Sequence, residues 1–517
     1  MNPRVPASVP RPVFLLIAAA YLYAFPYFDA LRSANELPRV LTTQEIVERG
    51  TFRLDARMNE LGSRFDIAPT KDGHFYQNKA PGPSILAVPT YLVLKLFGFT
   101  SVRVSTWAFR VTVVTIPALI FLWFFLRLST RFSPDVTAGR TALAAYAFGS
   151  PALPYGVLFM SHQPAAVCAG GAFVAAVTLV RGYQPRRRPL VAAAVGLLGG
   201  LSVMMDYQSF IAAGLVGLYL VLCSPRRLHD AALAIAGTVP PGLALAAYHT
   251  ACFGGPMKTG YALSNPVHEQ GFLGLVGPNL ESFWYTLLDP SNGLLMLLPW
   301  SVLALVGAVA VLANRERRRA VGAEVGLCLV VLAAYLLFMG SLIPSFSRAG
   351  WCVGPRYMTV ALPFLAWLAV PGFAAAGRWL ATRVLSQAMV VSACVVFVTA
   401  ATTYPHWPEQ IRNPLYELVF PLLWQGYAVH SLGTLVGFRG IYSLLPLYAL
   451  AAGLVLWLMA SGTRTRYRYT AVAAFALGGV LIMGHRMFPT SGPYAERAYQ
   501  FITSTWEPPP RAAGPPR

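Results

Sequence analysis

Charge is what this sequence has least of: Asp, Glu, Lys and Arg together make up 12% of its 517 residues, about half the share found in an ordinary soluble domain. Acidic residues are the scarcer kind, 20 against 40 Lys and Arg, for a formal net charge of +20. A nucleic-acid binder would gather that excess on one domain. Here the basic residues sit in short runs between apolar segments, which favours membrane topology. Cysteine is sparse as well. The six (Cys168, Cys223, Cys252, Cys328, Cys352 and Cys394) are scattered without metal-ligand spacing and read mostly as small core residues. Cys252 and Cys352 are the pair near outer loops that an oxidising compartment could join. No His-Glu-x-x-His, Walker loop or Asp-x-Asp cluster is present, and no Ser/His/Asp arrangement supports a hydrolase. No internal repeat stands out, which counts against a transporter built from duplicated halves.

Apolar sequence is what the chain has in abundance, 56% of it. Runs long enough to span a bilayer as helices of ~20 residues centre on 13–30, 106–126, 141–159, 164–180, 190–205, 208–222, 231–250, 292–312, 323–343, 357–373, 384–402, 441–460 and 470–485. No small-residue cleavage site follows the first run, so it reads as a retained helix rather than a signal peptide. The arginine runs, such as Arg127/Arg131/Arg140, Arg186/Arg187/Arg188 and Arg317/Arg318/Arg319, all fall on the cytoplasmic side if 84–98 is interfacial or re-entrant. Pro83 and Pro89 favour that short, broken helix.

The expected fold is therefore all-α, a polytopic membrane protein of about thirteen transmembrane helices with interfacial helices in a long first outer loop. Its N-terminus is cytoplasmic and its C-terminus outside, in a bacterial inner (cytoplasmic) membrane. The chain divides into 1–30 (N-terminus and first helix), 31–105 (outer loop with the interfacial or re-entrant segment) and 106–403 (transmembrane core with outer loops 251–291 and 344–356). An outer loop at 404–440, two last helices in 441–486 and an outer-face tail at 487–517 complete it.

Long loops and most acidic residues fall on the outer side, so function belongs there. The stretch 55–89, DARMNELGSRFDIAPTKDGHFYQNKAPGPSILAVP, is the most charged part of the first loop. Loops so long and so ionisable usually carry function. Within the loop, 40–48 suits a short helix, whereas 69–77 reads as turn and extended chain around Asp72-Gly73.

Four places carry a family resemblance: Asn35-Glu36-Leu37-Pro38-Arg39 just after the first helix; Gly73-His74-Phe75-Tyr76-Gln77-Asn78-Lys79-Ala80-Pro81-Gly82; Phe253-Gly254-Gly255-Pro256 with Gly260-Tyr261, Gly293-Leu294-Leu295 and Pro299-Trp300; and Trp351-Cys352-Val353-Gly354-Pro355-Arg356-Tyr357. In order and outer placement they resemble the GT-C type membrane glycosyltransferases, among them the protein O-mannosyltransferases and the lipid A aminoarabinose transferase. The likeness covers 13–365. It departs from the family where several members place a catalytic Asp, a position held here by Asn35.

The resemblance implies transfer of a sugar, hexose or pentose, from a polyprenyl-phosphate donor to an outer-face glycolipid, glycan or protein acceptor, with inversion. Such chemistry needs a carboxylate to take the acceptor's proton and cations around the departing phosphate. Glu36 is the first candidate base, followed by Asp29, at the end of an apolar helix where a carboxylate is costly unless used, and by Asp55. Lys79, where the chain re-enters the membrane, and Arg356, whose guanidinium fork suits phosphate, are the candidate phosphate ligands. Arg39, His74, Tyr76, His162, Asp206 and Tyr357 complete the candidate substrate-binding set, Asp206 because it interrupts two apolar segments with almost no room for a loop. No metal ligands are assigned, and the sequence leaves a divalent cation open. The competing readings are a transporter or flippase, and a ligase or polymerase joining lipid-linked glycans.

Overall fold

The computed structural model describes residues 9–25, 31–182, 185–264, 270–347, 350–461 and 468–506. Eight of its helices are long and apolar enough to cross a membrane: Val102–Phe132, His162–Val180, Arg188–Met205, Arg227–Phe253, Arg315–Gly340, Arg356–Ala376, Leu380–Thr402 and Arg468–Met487. Shorter apolar helices include Arg11–Tyr23, Gly82–Leu96, Tyr207–Cys223, Pro299–Leu312 and Leu445–Ala460. Two of the expected spans are not continuous. Segment 141–159 forms the helix Val136–Ala147, breaks before Pro151 and resumes only as Ala152–Gly156. Segment 292–312 is interrupted at Leu298 and is helical without a break only over Pro299–Leu312. Proline explains both breaks, since Pro151 and Pro299 cannot donate to the preceding turn.

A dry aromatic stack holds the middle of the bundle. Phe125 lies between Tyr146 (5.1 Å) and Trp367 (5.4 Å), both within 15° of parallel, and Trp367 Nε1 donates to the Phe125 carbonyl at 3.1 Å. Helices Arg188–Met205 and Arg227–Phe253 cross so closely that a Cβ on Gly196 would lie 1.6 Å from the Ala234 carbonyl oxygen, and one on Gly237 2.1 Å from that of Ala193. Small residues allow such approach where lipid supplies no hydrophobic drive. Outward faces stay apolar, as at Leu243 and Val309, and suit a lipid surround.

The first loop is ordered by its own elements. Residues 37–49 form the helix Leu37–Arg49, covering the stretch expected to be helical. Ile67–Pro69 and Phe75–Gln77 pair antiparallel across the Asp72-Gly73 turn, where extended chain was expected. Segment 84–98 is one helix, Gly82–Leu96, with Pro89 inside it. At 15 residues it is ~22 Å long, short of a hydrocarbon core of about 30 Å. None of the six cysteines forms a disulfide: Cys252 packs with Tyr248 and Phe253, and Cys352 with Tyr155.

The arginine runs gather at the bundle end away from these loops. There Arg181 grips Glu324 through two bonds of 2.7 and 2.6 Å, and Arg188 pairs with Asp230. Arg181 follows the C-terminus of His162–Val180, so ~28 Å of helix separates it from His162.

Candidate functional site

Six residues nominated from the sequence meet around one small cleft: Arg39, Lys79, His162, Asp206, Arg356 and Tyr357. Asn35, Ser161 and Tyr261 line it with them. Each arrives by a different route, and the meeting point is where several helices end. His162 opens one helix, Asp206 follows the last residue of another, and Arg356 starts a third. Arg39 projects from the first-loop helix, and Lys79 follows the hairpin.

Close packing fixes the loop on the bundle. A Cβ on Gly82 would lie 2.5 Å from the Met204 carbonyl oxygen, so glycine alone lets the Lys79 loop sit against the chain just before Asp206. Ser84 Oγ donates to the Arg39 carbonyl at 3.1 Å, and Thr43 Oγ1 to that of Ser84 at 3.0 Å. The helix carrying Arg39 and the one following Lys79 are thereby tied together.

Charge in the cleft is unbalanced. Lys79 Nζ is 3.1 Å from Asp66 and 4.7 Å from the Tyr261 ring centroid. Burial pulls its ammonium down, but Asp66, Tyr261 and Tyr357 outweigh burial and leave its pKa raised. Arg39, only 1% exposed, donates to the carbonyl and side-chain oxygens of Asn35 and to Ser161 Oγ at 3.3 Å. Among the described residues its Nε has no hydrogen-bond partner, and neither has Nε of Arg356, whose Nη2 donates to Tyr357 Oη at 3.2 Å. Among the described residues neither guanidinium pairs with a carboxylate. A buried cation such as Arg39 and a part-buried one such as Arg356, neither paired with a carboxylate among the described residues, are costly unless an anion completes them.

Asp206 accepts from His162 Nδ1 at 2.7 Å and from Gln208 at 3.2 Å. Burial pushes its carboxyl up, but His162, Gln208 and Arg39 outweigh that and hold it below the usual value. Among the described residues no group of three or more His, Cys, Asp or Glu is placed to hold a metal ion.

The remaining nominated residues lie elsewhere. Glu36, the first candidate base, is corrected to a buried clamp: it is fully buried, with Arg110 Nε and Nη2 each 2.8 Å from its oxygens and the Phe159 amide at 2.7 Å. Asp55 binds His74 Nδ1 at 2.7 Å and the Phe75 amide at 2.8 Å, so both members of that pair are spent on the hairpin, outside the cleft lining. Tyr76 is buried against Phe253, with ring centroids 5.9 Å apart. Asp29 lies outside the described residues. Asp66, which pairs with Lys79, is an acid the sequence did not nominate. Its backbone carbonyl accepts from Asn78 at 3.0 Å, one step beyond the last hairpin pair, so strand register alone would have set it beside Lys79.

No protein-family model and no curated protein matches the chain. Among solved structures it is similar to ArnT from Cupriavidus metallidurans bound to undecaprenyl phosphate, at 14% identity over 92% of this chain and 74% of that one, with a TM-score of 0.46. It is also similar to the arabinosyltransferase EmbB from Mycobacterium smegmatis (16%, 96% and 44%, TM-score 0.45). The Archaeoglobus fulgidus oligosaccharyltransferase is a third (14%, 90% and 59%, TM-score 0.41). These are likenesses of helical arrangement, at values from which no function is drawn.

Proposed function

We propose that this chain is a membrane glycosyltransferase that moves a sugar from a polyprenyl-phosphate donor to an acceptor at the outer face. The observation that carries the reading is the convergence of Arg39, Lys79 and Arg356 on one cleft where, among the described residues, only Lys79 is held by a carboxylate. Three cations against the two carboxylates Asp66 and Asp206 leave room for one further negative charge. A lipid phosphodiester supplies one. As the bond to the sugar breaks, a second develops on the leaving phosphate, and fixed cations in a dry site stabilise that change without reorganising. Arg39 and Arg356 offer planar donors to phosphate oxygens and Lys79 a point charge. Tyr261 and Tyr357 are placed as walls for the sugar.

In this reading the isoprenoid tail enters sideways from the bilayer, and a single displacement inverts the anomeric centre. The cleft faces the outer side and the arginine runs the cytoplasm of a bacterial inner membrane. The three cations supply the positive charge a departing phosphate needs.

Native mass spectrometry of the purified protein, with fragmentation of any bound lipid, tests the reading without a guess about the sugar. A polyprenyl phosphate carrying a sugar-mass increment is the expected result. A protein holding only bulk phospholipid overturns the reading and shifts the choice to a transporter.

A further inference from the structure

We infer that His162 is the base that takes the acceptor's proton, with Asp206 as its positioning residue; the inference rests on the transferase reading above. The buried imidazole has one nitrogen engaged and one free. Nδ1 lies 2.7 Å from Asp206 Oδ2, while Nε2 is buried and has no hydrogen-bond partner among the described residues. The ring is held edge-to-face by Tyr155 (5.4 Å) and Tyr357 (5.7 Å), and it lines the same cleft as Arg39, Lys79 and Arg356.

A carboxylate beside Nδ1 fixes the proton there and leaves a lone pair on Nε2. The cations that line the cleft with the ring are Arg39 from the first-loop helix, Lys79 from the hairpin loop and Arg356 from the helix it starts. Against them stand Asp206 alongside the ring and Asp66 behind Lys79. The other acids near the cleft are committed. Glu36 is bound by Arg110 and the Phe159 amide, and Asp66 by Lys79 and, at 3.3 Å, Asn35.

The step then balances. The acceptor's O–H proton passes to Nε2, and the oxygen's electron pair forms the new bond to the anomeric carbon. The bond from that carbon to the phosphate oxygen breaks, its pair staying on the oxygen. A lipid phosphate dianion forms among the three cations as the imidazolium forms against Asp206, and the proton leaves later to the phosphate or to water. A general base placed this way typically contributes ~10²- to 10⁴-fold.

The test is nitrogen NMR of ¹⁵N-histidine-labelled full-length protein in detergent, His162→Gln assigning the signal and undecaprenyl phosphate as probe. In the lipid-free protein at neutral pH, Nε2 of His162 should appear unprotonated, and Asp206→Asn should abolish the preference for the Nδ1 proton. Adding undecaprenyl phosphate, which resembles the leaving group, should shift Nε2 to the protonated position. An Nε2 already protonated in the free protein overturns the inference, as does a ring unchanged by lipid that native mass spectrometry shows to be bound. Wild-type protein that binds no undecaprenyl phosphate overturns the transferase reading, and the inference with it.

Discussion

Arg110 closes on both carboxylate oxygens of Glu36, at 2.8 Å from Nε and from Nη2, inside a wall that excludes solvent from both side chains. The pair ties the start of the first loop to helix Val102–Phe132, and the Phe159 amide adds a third strut. Breaking one partner of a buried pair leaves an uncompensated charge and costs ~3–5 kcal/mol. Glu36→Ala should therefore lower thermal stability markedly, and Glu36→Ala with Arg110→Met should recover part of the loss in a double-mutant cycle. A Glu36→Ala protein as stable as wild type would contradict this assignment.

Much of the site was legible in the sequence, for a physical reason. Lys79, Arg356, His162 and Asp206 are polar residues at the edges of long apolar runs, where ionisable groups are costly without a task. That signal does not separate a residue facing a cleft from one facing a salt-bridge partner. Glu36 and Arg39 are three positions apart, yet one points to Arg110 and the other to the cleft. The partner Arg110 sits inside a later helix, 74 residues away, and no local pattern reveals it. Asp66 was obscured differently, because its role depends on hairpin register rather than on hydropathy.

Gly82 should be the least tolerant position of the Pro81-Gly82-Pro83 turn. A methyl group there meets backbone, 2.5 Å from the Met204 carbonyl oxygen, and backbone cannot swing aside. Gly82→Ala should cost ~1–3 kcal/mol and weaken lipid-phosphate binding by displacing Lys79 from the cleft. Gly242→Ala, with open space around it, should leave both unchanged. Thermal unfolding and lipid retention measured on the two variants decide the matter.

His406 should make the fold sensitive to mild acid. Its Nε2 is 3.8 Å from Glu36. Burial pushes the imidazole down to about 4; Glu36 opposes the fall, while Arg110 and Arg356 add to it. An unfolded chain binds this proton below about 6.5 and the folded one only near 4, so stability falls as pH drops through that window and levels off beneath it. The contribution is on the order of 3 kcal/mol. The unfolding midpoint of wild type should fall between pH 7 and pH 5 by more than that of His406→Gln; equal falls would contradict the assignment.

The most direct test of the anion cleft is the affinity of the purified protein for undecaprenyl phosphate, compared across wild type, Arg39→Ala, Arg356→Ala and His74→Ala. A hydrogen bond to a charged group is worth ~1.5–3 kcal/mol, so each arginine variant should bind roughly tenfold to a hundredfold more weakly. His74→Ala, altered only at the hairpin surface, should match wild type. Equal affinity in all four proteins would contradict the account, because the two unpaired guanidiniums would then not be where the phosphate sits.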